Sequence, residues 1–212
     1  GTDKTIGHGL GITPSFSIVK RMDTTGTGCV VCTGMSADTA LQFSESDGAV
    51  ALSGGYQVHT SSTLITLKNG TSNGDNVNNS SGRYICYAWA EIEGFSFFGS
   101  YTGNGNAEGP LIYTGFRPAF TLGPKRITTT GNDWNLNDNK RYPFNQDTVP
   151  YIYANTTAAE VSATTQNFDF LSNGFKVRGT GNVYNNDGAT YIFAAWASNP
   201  FGGASTTPAT AV

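Results

Sequence analysis

The reactive side chains are few: two histidines (His8 and His59), three cysteines (Cys29, Cys32 and Cys86) and fifteen acids among 212 residues. Of the acids, Glu91 and Glu93 in Trp89-Ala-Glu-Ile-Glu-Gly94 have the most suggestive spacing. On a strand, residues i and i+2 share a face roughly 6 to 7 Å apart, which suits the carboxylate pair of a retaining glycosidase. Sandwich hydrolases built on such a strand carry a third acid at i+4, and Phe95 stands there instead. Exposed acids at a strand end are expected, and the chain reads as a non-enzyme. Cys29-Val-Val-Cys32 has the spacing of half a metal or redox motif. The other half is missing, and in a β-like run the two thiols face opposite ways, so ordinary buried thiols are expected. Neither histidine keeps the company of acids or cysteines that a triad or zinc site needs. Gly103-Asn-Gly-Asn-Ala-Glu-Gly109 lacks the lysine of a phosphate loop.

One segment reads as a binding loop. Asp133-Trp-Asn-Leu-Asn-Asp138-Asn places oxygens at alternate positions, like the start of a calcium loop, without its glycine at six or glutamate at twelve. No cofactor is therefore expected, with calcium as the lesser alternative. A glycan suits the loop better: Trp134 and Tyr142 would stack on sugar faces while Asp133, Asn137 and Asp138 hydrogen-bond the hydroxyls. The competing reading makes Trp134 a core ring.

Composition dictates which elements carry these residues. Charged residues are only 13 % and glycines number 27, which is poor material for surface helices and good material for short strands and turns. With 38 % hydrophobic and 12 % aromatic residues, the chain has enough to build a core. The net charge is −3, and basic residues cluster no further than Lys20-Arg21, Lys125-Arg126 and Lys140-Arg141. No face would neutralise phosphates, and no apolar run reaches the roughly 18 residues of a membrane span, so neither nucleic-acid binding nor membrane insertion is expected. A start at Gly1 without a charged-then-apolar leader predicts a processed product or a piece of a longer polypeptide.

The chain also repeats itself. Ile6-Gly-His-Gly-Leu10 followed by Pro14-Ser-Phe-Ser-Ile18-Val-Lys-Arg21 parallels Ile112-Tyr-Thr-Gly-Phe116 followed by Pro118-Ala-Phe-Thr-Leu122-Gly-Pro-Lys-Arg126. Val77 to Ala90 parallels Val183 to Ala197, each an Asn/Gly turn feeding a strand with one tryptophan. Alanines flank Trp89 and Trp196, which predicts that each ring points into its core. Strands are expected at 15–22, 28–33, 49–52, 56–60, 63–68, 84–93, 119–127, 168–171, 174–178 and 190–198. Only 36–42 and 156–164 are candidates for a helical turn. The expected organisation is a first β repeat over 1–94, an ordered crossover over 95–110, a second repeat over 111–201 and an extended tail over 202–212. The fold class is all-β, an antiparallel sandwich of two diverged repeats packed together.

At these residues the chain resembles the repeat unit of tail-fibre-like structural proteins from marine tailed bacteriophages. The resemblance is carried by His8-Gly-Leu-Gly11, Phe98-Gly-Ser-Tyr-Thr-Gly-Asn-Gly105, Tyr113-Thr-Gly-Phe-Arg-Pro118, Leu171-Ser-Asn-Gly-Phe-Lys176 and Tyr191-Ile-Phe-Ala-Ala195, across nearly the whole chain. It implies a virion protein of lectin-like β-sandwich character, assembled in the host cytoplasm and exposed outside the particle. The first functional reading is a receptor-recognising fibre module that binds a host surface glycan or protein. The alternative is a capsid decoration or fibre-shaft protein that binds other viral subunits, and a polysaccharide depolymerase comes third. A homo-oligomer is expected, and the resemblance to fibres suggests a trimer.

Overall fold

The computed structural model describes residues 2–200, apart from 26–27, 37–38, 52–55, 70–76, 129–131, 142–144, 146–147 and 165–166. The chain forms two compact units, Gly1–Ala90 and Glu91–Val212. The fold is all-β, as composition and turn spacing predict, and every strand pair is antiparallel.

The first unit runs β1 (Lys4–Gly7), β2 (Phe16–Arg21), β3 (Cys29–Cys32), β4 (Thr39–Gln42), β5 (Val50–Ala51), β6 (Gln57–His59), β7 (Leu64–Leu67) and β8 (Tyr84–Trp89). They form one sheet in the order β5-β4-β3-β2-β8 and another in the order β1-β7-β6. Alternation decides what fills the unit. Val19, Cys29 and Ala40 meet Ile65 and Leu67 in a core closed by Tyr56 and Val77.

The second unit runs β9 (Ser96–Thr102), β10 (Leu111–Tyr113), β11 (Pro118–Arg126), β12 (Asn135–Asp138), β13 (Val149–Tyr153), β14 (Val161–Ala163), β15 (Phe168–Leu171), β16 (Gly174–Val177), the single helical turn α1 (Asn182–Asn185) and β17 (Thr190–Ala197). Its sheets are β14-β13-β12-β11-β17-β9 and β10-β16-β15. Strand for strand this is the order of the first unit, with β9 added beside β17. Its core is aromatic: Phe168, Phe170, Phe175, Tyr184, Tyr191 and Phe193 are buried together.

Several expectations need correction. The two stretches read as possible helical turns hold β4 and β14, short strands whose order comes from their neighbours in the sheet. The only helical turn among the described residues, α1, falls in an Asn/Gly turn and is too short to leave a periodic signal. The tryptophans do not join either of these core clusters. Cys86 and Ala88 line the first core and Tyr191, Phe193 and Ala195 the second, so alternation turns Trp89 and Trp196 to the opposite face. There each ring is half-buried, 5.6 Å from Phe16 and 5.5 Å from Phe120 respectively.

Pro124, which cannot donate to a sheet ladder, sits in a bulge. β11 lies between β12 and β17, and its register shifts between Leu122 and Lys125, at a cis Gly123-Pro124 bond with Gly123 at φ 101°. The carbonyls freed there are met by side chains of β12, as Asn135 Nδ2 donates to Pro124 O and Asn137 Nδ2 to Gly123 O, each at 3.1 Å. Two asparagines therefore face inward, and Trp134 is fully buried beside the Lys125 ammonium, 5.7 Å from the ring centre.

Burial ranks the tryptophans. Trp134→Ala should cost about 3 to 5 kcal/mol by leaving a cavity, and the half-buried Trp89 measurably less. Urea midpoints of the two variants check this, and equal losses would place both rings in cores.

Candidate functional site

A cavity of about 390 Å³ opens in the first unit between two strands that do not pair with each other. Ile6 and Gly7 of β1, with His8 just beyond, form one wall, and Cys86 to Trp89 of β8 form the other. Along β8, Cys86 and Ala88 turn towards the core side, while Tyr87 and Trp89 stand on the outer face. Their rings stack at 6.1 Å with 19° between planes, and Tyr87 is 49 % exposed. Beside the slot, this partly exposed aromatic pair offers area, and the backbone of the two strands offers polar groups, the two ingredients a ligand or partner surface uses.

The histidines near this opening are committed to structure. His8 Nδ1 accepts the Leu10 N–H at 3.2 Å, which leaves its Nε2–H to donate to Ser61 O at 3.2 Å. His59 Nε2 lies 2.7 Å from Ser17 Oγ. Burial pushes the His59 pKa down to about 4, partly offset by its bond to the Pro14 carbonyl and reinforced by nearby His8. The thiols follow burial as well. Cys29 and Cys32 are buried and driven up to about 12, and half-buried Cys86 is also raised.

The loop read as a glycan or calcium site is not assembled as one. Trp134 is fully buried and has no face to offer a sugar. Asn137 is buried and spent on the β11 bulge, and its Oδ1 accepts the Tyr184 hydroxyl at 3.1 Å. Asp133 accepts Asn155 Nδ2 at 2.8 Å. Asp138 caps a turn, accepting the backbone N–H of Lys140 at 3.0 Å and of Arg141 at 2.6 Å. Because β12 is a strand, Asn137 and Asp138 point to opposite faces, so these oxygens do not converge on a cation. Tyr142 and the tail 202–212 lie outside the described residues. Glu91 and Glu93 do not share a strand face either. β8 ends at Trp89; Glu91 precedes a turn closed by Phe95 N–H to Ile92 O at 2.9 Å and Glu93 lies within it, both exposed.

Sequence reading missed the β1–β8 opening. The signal was there in the aligned repeats, where Cys86-Tyr87 stands against Phe193-Ala194. Among the described residues no three His, Cys, Asp or Glu side chains gather as metal ligands, and no helix is long and apolar enough to cross a membrane. A family model described as a domain of unknown function (DUF7483) matches residues 1–200. No curated protein and no solved structure matches the chain.

His59 makes stability depend on pH. Its folded-state pKa lies below the ordinary 6.5, so between about pH 6.5 and pH 4 the unfolded chain binds the extra proton. Stability is full above this window and falls as pH drops through it, by up to about 3 kcal/mol. Denaturant midpoints across the window should show the slope, and His59→Asn should flatten it.

Proposed function

The chain belongs to the DUF7483 family, and we propose that it is a bacteriophage virion structural protein, a fibre-shaft or decoration element whose surfaces meet other viral subunits. The observation that carries this reading is the repetition of one strand order in two units of a single chain. Arrays of like β units extend by adding neighbours, which suits a fibre or a coat. Three free thiols suit assembly in a reducing cytosol. The cavity between β1 and β8 offers aromatic area, and the histidine in its lining is spent on hydrogen bonds to Leu10 and Ser61, which favours association over chemistry.

A second reading, a receptor-recognising module at a tail fibre, is favoured by β10. Its Leu111 and Tyr113 are 60 % and 67 % exposed, a flat apolar surface of the kind that stacks on a sugar ring. A depolymerase has less support, since Glu91 precedes a turn, Glu93 lies within it, and the two share no strand face.

Antibody labelling of intact particles decides the first reading. Label in regular rows on a tail-associated fibre or on the shell is the expected outcome, and particles that carry no label would overturn it. On a glycan array, binding that Tyr113→Ala abolishes would favour the receptor reading, and an array without signal would leave the shaft or decoration role.

A further inference from the structure

We propose that the outer edge of β8 accepts one further antiparallel strand of the β9 type, so that another polypeptide segment completes the first unit as β9 completes the second. The inference rests on comparing the two units and stands apart from the virion reading.

Tyr84-Ile-Cys-Tyr-Ala-Trp89 and Tyr191-Ile-Phe-Ala-Ala-Trp196 are the same strand in the two repeats, each paired on one side, to β2 or to β11. On its other side β17 pairs with β9 over Ser96 to Thr102. Among the described residues no strand takes that place beside β8. Burial records the difference. Tyr191 to Ala195 are no more than 1 % exposed, whereas Cys86 and Ala88 are half-buried and Tyr87 is 49 % exposed.

Backbone direction agrees. Met22 N–H donates to Arg83 O at 2.8 Å, so the odd-numbered residues of β8 address β2 and the backbone groups of Cys86 and Ala88 point away from it. Their counterparts Phe193 and Ala195 stand opposite Gly99 and Phe97 of β9. In that pairing Phe97 stacks on Phe193 at 6.0 Å and Phe98 stands edge-on to Trp196 at 5.7 Å. The cavity of about 390 Å³ lies at Cys86 and Trp89, the places of Phe193 and Trp196, where such rings would fall.

The approach to each unit is also held alike. Asn78 Nδ2 donates to Thr2 O at 3.1 Å, and Asn185 Nδ2 to Asn106 O at 2.7 Å. Lys68 pairs with Asp3 where Arg178 pairs with Glu108. The accepted partner is therefore an extended segment with aromatic residues at the places of Phe97, Phe98 and Tyr101. Main-chain bonds supply its affinity and alternate side chains its specificity. Gly202–Val212 carries no aromatic residue and includes Pro208, so the chain's own tail does not have that pattern.

The test uses the full chain and a peptide copying Glu93–Asn104. Expected are one-to-one binding and protection of the Cys86 thiol from alkylation by at least about tenfold, with buried Cys29 and Cys32 as internal controls. N-methylation at Phe97 or Gly99, whose amides would face β8, should abolish binding, and at Phe98 or Ser100 should spare it. Indifference to which amide is methylated, or an unprotected Cys86, would overturn the proposal. If the peptide self-associates, a chain extended ahead of Gly1 by a second copy of Glu91–Gly105 decides the matter. A raised urea midpoint with Cys86 protected supports the acceptor edge, and no change in either refutes it.

Discussion

Each unit depends on a phenol that reaches back to hold the turn from which its own strand starts. The Tyr84 hydroxyl accepts the Asn79 N–H at 2.9 Å, and the Tyr191 hydroxyl accepts the Asn186 N–H at 2.8 Å, both five residues upstream. Tyr191 also donates to Asn182 O at 2.6 Å, which ties α1 to the same point. Burial raises its pKa, so the proton it donates stays in place. These bonds are part-buried, so leaving a donor unmet would cost towards the low end of about 1 to 3 kcal/mol, which biases the turn towards one geometry. Once the turn is fixed, so is the register of the long strand that follows. Register then decides which side chains enter the core and which backbone groups face outwards.

In the second unit this frame is extended by aromatic packing. Tyr101 of β9 lies on Tyr191 at 5.1 Å with 12° between planes, and its hydroxyl donates to Tyr184 O at 2.7 Å. The neighbouring strand therefore contributes stacked surface and a polar tie to the same turn. The β11 bulge imposes the opposite economy, since carbonyls it frees inside the unit must be met by side-chain amides. Asn135 and Asn137 serve that need, which is why a loop rich in oxygens builds the interior and does not face a ligand.

Much of the fold was legible in the sequence. The all-β class follows from few charges and many glycines, and like strand orders accompany the matched words around Pro14 and Pro118 and around Trp89 and Trp196. Legibility failed where tertiary contacts override local pattern. β4 and β14 are too short to show alternation and owe their state to a neighbour. Flanking alanines suggest a place in the core for the tryptophans, although the phase of Tyr191, Phe193 and Ala195 already sets them on the other face of the strand. The binding loop was misread because donors for a bulge and ligands for a sugar are the same residue types, and only pairing tells them apart.

The thiols bear on how the molecule ages. At a pKa of about 12, Cys29 and Cys32 would hold only about one thiolate in ten thousand at pH 8. They also point to opposite faces of β3, so oxidation cannot join them. Prolonged contact with oxygenated water should leave both residues chemically intact. The first oxidative scars should instead appear on the half-buried Cys86 and on Met22, whose side chain is in the open at 61 % exposure.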